Sequence, residues 1–301
     1  MRNIGHERCI SLIDTLEKTK KEDNIMRHET IYLTEHFPQL KGDGCEPKLE
    51  IYLPEAMVDM GWGDKKKPCV FICPGGGYHG VSRREAEPIA LKFLEQGYNV
   101  FVLTYSVRPH RFPQQLREVA AAMELIHANA DEWLCDVEKV AIVGFSAGGH
   151  LAAHYSTCYD IPEVREVFPE SKCVNASVLC YPVISADFSK THQGSFFNLL
   201  GHKPDKDEEK YFSCERNVKE TTPPAFIWHT AEDGCVPVAN SLIYAKALTD
   251  NKVPVELHIY PFGGHGLSTC DEQTCDNMNE IIAYNNVWID SMKNWLKLIF
   301  K

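Results

Sequence analysis

The sequence predicts an α/β protein: a mainly parallel central sheet with helices on both faces and a short insertion over the carboxyl ends of the strands. Three observations predict it. From Lys67 onward, apolar runs of strand length alternate with segments of helical periodicity. Cys69-Val-Phe-Ile-Cys73 is a continuous apolar run, as a strand covered on both faces is. Only the segment from 186 to 220 breaks the rhythm, with the charge run Asp205-Lys-Asp-Glu-Glu-Lys210 and no strand pattern.

In chain order, residues 6–20 carry Ile10, Ile13 and Leu16 at amphipathic-helix spacing, inside an N-terminal extension covering residues 1–30. Ile31-Tyr-Leu-Thr34 and Leu49-Glu-Ile-Tyr-Leu53 read as strands of an antiparallel edge, separated by Pro38 and the Gly42-Asp-Gly44 turn. Cys69-Val-Phe-Ile-Cys73 is the first fully apolar strand. A helix follows with Ala86, Ile89, Ala90, Phe93 and Leu94 on one face, closed by Gly97. After the strand at 99–104, Leu116, Val119, Ala120, Met123 and Ile126 mark the next helix. Val140-Ala-Ile-Val143, Ser177-Val-Leu-Cys-Tyr181, Ala225-Phe-Ile-Trp-His229 and Val255-Glu-Leu-His-Ile-Tyr260 are the remaining strands. A helix over 241–248 precedes the last of them, and a final helix carries Val287, Trp288, Met292, Trp295 and Ile299. We read one domain over 1–301, with 186–220 as a cap-like insertion.

Composition narrows the function classes. Of 301 residues, 44% are hydrophobic and 24% charged, an ordinary globular balance with enough apolar residues for a sizeable core. The net charge of −11 argues against nucleic acid or an anionic membrane as partner. The one basic run, Lys65-Lys-Lys67, is short and leads into a strand, as a solvated turn does. No apolar run reaches membrane-spanning length. The first residues hold no continuous apolar stretch of the signal-peptide kind, so the cytoplasm is the expected location. Cys69, Cys73 and Cys180 sit inside apolar strands, where cysteine acts as a small hydrophobe, and free thiols are expected. Cys270 and Cys275 lack zinc-site spacing and a matching second pair, so no metal and no cofactor is expected. The sequence leaves open whether the chain forms a homo-oligomer.

The chemistry centres on Gly144-Phe-Ser-Ala-Gly148, a G-x-S-x-G pattern between the strand at 140–143 and the helix-forming Leu151-Ala-Ala-His154. A strand turning sharply into a helix leaves no room for side chains beside the turn residue, and glycine supplies that room. The Ser146 hydroxyl is then held out of the sheet above free helix N–H groups. A second signal is Pro74-Gly-Gly-Gly-Tyr78, directly after a buried strand. Gly75, Gly77 and Gly80 formally match a dinucleotide fingerprint. That reading needs an acidic residue after the next strand, which instead ends Leu103-Thr-Tyr-Ser106. Unencumbered backbone N–H groups aimed at a developing oxyanion are the better reading.

A serine needs a base, and histidine is best matched near neutral pH. Thirteen histidines are present, so most are bystanders. His258 lies within a strand and His229 ends one. His265, in Pro261-Phe-Gly-Gly-His-Gly266, follows the last strand in a glycine-flanked loop. The carboxylate that orients it should leave the strand at 225–229: Asp233 is favoured, with Glu232 as competitor. The order Ser146, Asp233, His265 is that of the α/β-hydrolase triad.

From about residue 67 onward the chain resembles the α/β-hydrolases, within the group of hormone-sensitive-lipase-like esterases and acetylxylan-esterase-like proteins. The resemblance rests on Pro74-Gly-Gly-Gly-Tyr78, Ser82-Arg-Arg-Glu-Ala-Glu-Pro88, Gly144-Phe-Ser-Ala-Gly-Gly-His150, His229-Thr-Ala-Glu-Asp-Gly-Cys-Val-Pro-Val238 with Asn240-Ser241, and Gly263-Gly-His-Gly-Leu267. The Arg-Glu-Ala-Glu-Pro and Val-Pro-Val-x-Asn-Ser segments resemble the carbohydrate-esterase side. The resemblance implies the α/β-hydrolase fold, with Ser146 as nucleophile, His265 as base and Asp233 as acid. It also implies an oxyanion hole from the N–H groups of Gly76, Gly77 and Ala147. Pro74 stands where such loops often carry histidine, which leaves open which two glycines of the run donate.

The expected activity is hydrolysis of a short acyl ester, with deacetylation of a sugar or xylo-oligosaccharide as the leading substrate class, because the charged insertion is a poor seat for a long acyl chain. Two other readings stand beside it. A serine peptidase of the prolyl-oligopeptidase type shares the Asp-x-x-Val-Pro pattern, though the sixty-odd residues ahead of the hydrolase-like part cannot form propeller blades. A non-catalytic binding protein on the same fold is the other; such proteins usually lose a triad member, and all three are present here.

Overall fold

The computed structural model describes residues 26–301 apart from 43, 45 and 276–278. The helix expected over 6–20 lies outside the described residues. The strands are β1 (Arg27–Tyr32), β2 (Lys48–Leu53), β3 (Lys67–Cys73), β4 (Asn99–Thr104), β5 (Cys135–Phe145), β6 (Ala176–Cys180), β7 (Ala225–Thr230) and β8 (Val255–Tyr260). They form one sheet in the order β1-β2-β4-β3-β5-β6-β7-β8. β2 runs antiparallel to both β1 and β4, and β3 to β8 are parallel. The main helices are α1 (Glu87–Leu94), α2 (Gln114–Ala128), α3 (Ser146–Cys158), α4 (Gln193–Leu200), α5 (Lys206–Phe212), α6 (Ala239–Asp250) and α7 (Val287–Ile299).

The inner strands β3, β4, β6 and β7 and the second half of β5 are almost wholly apolar because each serves two cores. Phe71, Ile142, Leu179 and Ile227 point to one face, where they pack with Val119 and Met123 of α2, Leu151 of α3 and Leu248 of α6. Their sequence neighbours Ile72, Val143, Val178 and Trp228 point to the other, against Phe93 of α1 and Trp288 and Met292 of α7. Cys69, Cys73 and Cys180 are fully buried among these residues, as their place in the strands implied.

Two local outcomes differ from the sequence reading. The first strand starts at Arg27 and ends at Tyr32, and Leu33–His36 is a helical turn. The run Ile31-Tyr-Leu-Thr34 is apolar because Leu33 leaves the sheet to fill the core. Within 186–220 the chain forms two helices where no element was assigned. α4 ends at Gly201, whose φ of +89° suits glycine. α5 is started by a capping box: Asp205 accepts from the N–H groups of Asp207 and Glu208, and Glu208 accepts from that of Asp205.

Topology decides where a ligand can sit. From β3 the chain crosses to β4 on one side, then returns past β3 to β5 on the other. At such a switch point the loops leaving β3 and β5 diverge and open a crevice at the strand carboxyl ends. Cys73 pairs in register with Gly144, so the Pro74-Gly-Gly-Gly loop and Ser146 emerge side by side.

Candidate active site

Ser146 is the first residue of α3 and adopts a φ of +52°, a left-handed conformation that non-glycine residues rarely hold. The turn is tight enough that a Cβ on Gly148 would collide with the carbonyl oxygens of Cys73 and Pro74. α3 is buried along its whole length, which is why its first turns are spelled with alanine and glycine. Ser146 itself is 7% exposed, with its hydroxyl open to a cavity of about 310 Å³.

The structure brings together the three side chains singled out from the sequence. His265 Nδ1 lies 2.6 Å from Asp233 Oδ2, and its Nε2 lies 2.7 Å from Ser146 Oγ. A carboxylate only accepts, so Nδ1 carries the proton, and Nε2 is left to accept from the serine hydroxyl. Asp233, not Glu232, faces the ring: Glu232 turns outward, where it accepts from the Gly263 N–H at 3.4 Å. Asp233 is saturated with donors. Oδ1 accepts from the N–H groups of Cys235 (2.9 Å) and Val236 (2.8 Å), and Oδ2 accepts from His265 and from His229 Nε2 (3.2 Å). Burial alone would push its pKa up. The hydrogen bonds from His229 and His265, the His265 charge and the Val236 N–H outweigh burial and hold it well below the usual carboxylate range.

The glycine loop presents the other half of the site. The Gly75 N–H donates to the buried Glu85 carboxylate at 2.8 Å, so it is not free for a ligand. The N–H groups of Gly76 and Gly77 have no acceptor among the described residues. Ala147 sits in the first turn of α3, where an N–H has no intrahelical partner. Gly76, at φ +130°, passes so close to the Gly80 carbonyl that a Cβ there would overlap it.

Several residues that organise this site were not found from the sequence. His229 was read as a strand-end bystander. It is fully buried, with Nε2 on Asp233 and on the Val236 carbonyl oxygen (3.0 Å) and Nδ1 beside Ser241 Oγ (2.8 Å). The neighbouring Asn240 accepts from the N–H groups of Ile184 and Ser185 and donates to the carbonyls of Lys190 and Pro237. The Asn240-Ser241 pair therefore fixes the acid loop and the root of the 186–220 segment together. Glu85 also accepts from the Tyr181 hydroxyl (2.7 Å), which in turn accepts from the Ser268 N–H (2.9 Å). The Tyr181 ring stands edge-on to His265, centroids 5.0 Å apart. Glu85 and Tyr181 thus link the glycine loop to the histidine loop. The spacing His229-x-x-x-Asp233 and the Arg-Glu-Ala-Glu-Pro segment were the available signals, and neither states a partner.

His150 closes the arrangement from below. Its Nδ1 accepts from the Tyr78 hydroxyl at 2.9 Å, and its Nε2 donates to the Phe212 carbonyl at 3.0 Å. Burial pushes its pKa down to about 4, so it stays neutral and holds one hydrogen-bonding pattern. A serine with a hydrogen-bonded base, a buried acid behind the base and free N–H groups beside the hydroxyl is an arrangement able to attack a carbonyl and hold the resulting oxyanion.

The BD-FAE family profile matches residues 49–248. Endo-1,4-beta-xylanase B of Butyrivibrio fibrisolvens is 36% identical over 232 residues, which cover 74% of this chain and 36% of that protein. An acetylxylan esterase of Xylanibacter ruminicola is 32% identical over 231 residues, covering 75% of this chain and 44% of that protein. The chain therefore spans less than half the length of either relative. Among solved structures, an acetyl ester-xyloside bifunctional hydrolase from Caldicellulosiruptor lactoaceticus aligns with a TM-score of 0.79 at 33% identity, over 92% of this chain and 98% of that one.

Proposed function

We propose that this chain, which belongs to the BD-FAE family among the acetylxylan-esterase-like serine esterases of the α/β-hydrolase superfamily, is a carboxylic ester hydrolase that removes acetyl groups from a sugar or xylo-oligosaccharide. Its fold is the α/β-hydrolase fold, with the mainly parallel eight-stranded sheet and two helical layers described above. The observation that carries the reading is the unbroken contact series from Ser146 through His265 to Asp233, set beside the free N–H groups of Gly76 and Gly77.

In this reading Ser146 Oγ attacks the ester carbonyl while His265 Nε2 takes the hydroxyl proton. Asp233 stabilises the imidazolium through Nδ1–H. The tetrahedral oxyanion accepts from the N–H groups of Gly76, Gly77 and Ala147. Collapse breaks the bond to the alcohol oxygen, which leaves with the proton from His265. Water, deprotonated by the same nitrogen, then attacks the acyl-serine, releases the carboxylic acid and restores Ser146. No metal or cofactor enters these steps.

The names of the relatives point to xylan and to acetyl esters. The cavity, about 310 Å³, is at the small end for ligand sites. Its rim carries the polar side chains of His79, Arg84, His192 and Asn198, which suit a hydroxylated alcohol better than an acyl tail. The reading places the enzyme in the cytoplasm, where cysteines buried within strands, such as Cys73 and Cys180, remain thiols. A panel of aryl esters from acetate to octanoate, with acetylated xylo-oligosaccharides and a proline-containing peptide, tests it. We expect acetate ester kcat/KM to exceed that of octanoate by about a hundredfold, with acetate released from the oligosaccharide and the peptide left intact. Preference for octanoate, or cleavage of the peptide, would contradict the substrate class.

A further inference from the structure

The 186–220 segment places a second imidazole at the mouth of the cleft, and the acyl-transfer steps above make no use of it. His192, directly ahead of α4, lines the same cavity as Ser146 and His265. Its ring is held from several sides. Nδ1 lies 2.9 Å from the hydroxyl of Ser195, which is itself 1% exposed. Cε1 stands 3.7 Å from where a Cβ on Gly77 would be and 3.1 Å from where one on Gly194 would be, so the ring rests against both backbones. α4 is in turn tied to the glycine loop, because Asn198 Nδ2 donates to the Gly77 carbonyl at 2.8 Å. The imidazole therefore keeps a fixed place relative to the N–H groups that flank Ser146.

Nε2 has no hydrogen-bonding partner among the described residues, and the ring is half-buried in the cavity wall. Burial, and then the charge of the nearby His265, hold its pKa below the ordinary histidine value, so the ring is neutral at neutral pH. The Ser195 hydroxyl can donate to Nδ1 or accept from it. In the first case Nε2–H donates into the cleft, and in the second Nε2 accepts from it. An alcohol hydroxyl satisfies either tautomer, since it is donor and acceptor at once. A carboxylate satisfies only the first and an ammonium only the second.

We propose that His192 is a specificity-determining residue whose Nε2 hydrogen-bonds a free hydroxyl on the alcohol part of the ester. The site then prefers partly acetylated sugars, which keep a free hydroxyl beside the acetyl group, over fully acetylated sugars. This deepens the ester-hydrolase reading and rests on it. His192 makes and breaks no bond; it selects the alcohol.

The test compares wild type, His192→Phe and His192→Gln on 4-nitrophenyl acetate, on a monoacetylated methyl xyloside and on the fully acetylated xyloside. Phenylalanine keeps a planar aromatic ring, slightly larger than imidazole, and removes both ring nitrogens. Glutamine returns a group that can donate or accept. We expect His192→Phe to hold 4-nitrophenyl acetate kcat/KM within about threefold and to lower that of the monoacetylated xyloside about thirtyfold, chiefly through KM. The preference for the monoacetylated over the fully acetylated sugar should disappear with it, and His192→Gln should recover part of it. Equal losses on the aryl and sugar esters, an unchanged monoacetylated xyloside, or a wild type without the preference would overturn the proposal. Wild-type protein inert toward 4-nitrophenyl acetate would instead sink the ester-hydrolase reading, and this proposal with it.

Discussion

Asp233 shows how the site is organised at the residue scale. Four donors converge on one buried carboxylate, and two of them are imidazoles sharing Oδ2. The two backbone donors come from the turn that follows Asp233, so they hold Oδ1 whatever the rest of the site does. His229 is what keeps Oδ2 from swinging away from His265. A hydrogen bond to a charged group contributes roughly 1.5 kcal/mol or more, and about 1.4 kcal/mol of transition-state orientation corresponds to a tenfold rate. Replacing His229 with Ala should therefore lower kcat on 4-nitrophenyl acetate about tenfold, with KM within about twofold, and His229→Gln should fall between. Unchanged kcat in steady-state assays of His229→Ala would remove His229 from the site. Ser146, Asp233 and His265 were singled out in the sequence because each follows a strand end and has glycine close by. His229 was not, because a histidine closing an apolar strand looks the same whether it packs inertly or holds a carboxylate. Glu85 was equally hidden: the residue that orders the glycine loop through Gly75 follows it by ten positions, and only the tertiary fold joins them.

At the scale of elements, the continuous apolar strands were legible because two covered faces leave no polar position to confuse the pattern. The edge was less so. Leu33 extends the apolar run of β1 although it belongs to a helical turn, since burial in the core and membership of a strand leave the same mark on one residue. The helices of 186–220 were missed for the opposite reason. The acidic run of α5 hides its periodicity, yet Asp205-x-x-Glu208 is a capping box and could have announced the helix. Loops from three separate strands meet at the site. Tyr181 after β6 bonds Glu85 after β3, and Ser268 after β8 bonds Tyr181. α4 then reaches across to the glycine loop through Asn198.

At the scale of the whole molecule, two histidines of α3 are buried without charge. Burial pushes His150 down to about 4, and burial together with the charge of His150 pushes His154 down to about 3. Both folded-state values lie below the unfolded value of roughly 6.5, so the unfolded chain binds more protons between them. Their contribution to stability is complete above about pH 6.5 and is lost as the pH falls from there toward 4 and 3. Thermal unfolding should therefore show a Tm several degrees lower at pH 5 than at pH 7.5, and His154→Phe should shrink that difference. A Tm independent of pH across this window would contradict the neutral buried state of the pair. All of the proposed chemistry requires Ser146 as the nucleophile. Its most direct test is stoichiometric labelling with a fluorophosphonate, followed by peptide mass spectrometry and residual esterase assay. We predict one adduct per chain, on Ser146, with activity lost in proportion to labelling, no adduct in Ser146→Ala, and slowed labelling in His265→Ala. Activity that survives full modification of Ser146, or that Ser146→Ala retains, would contradict it.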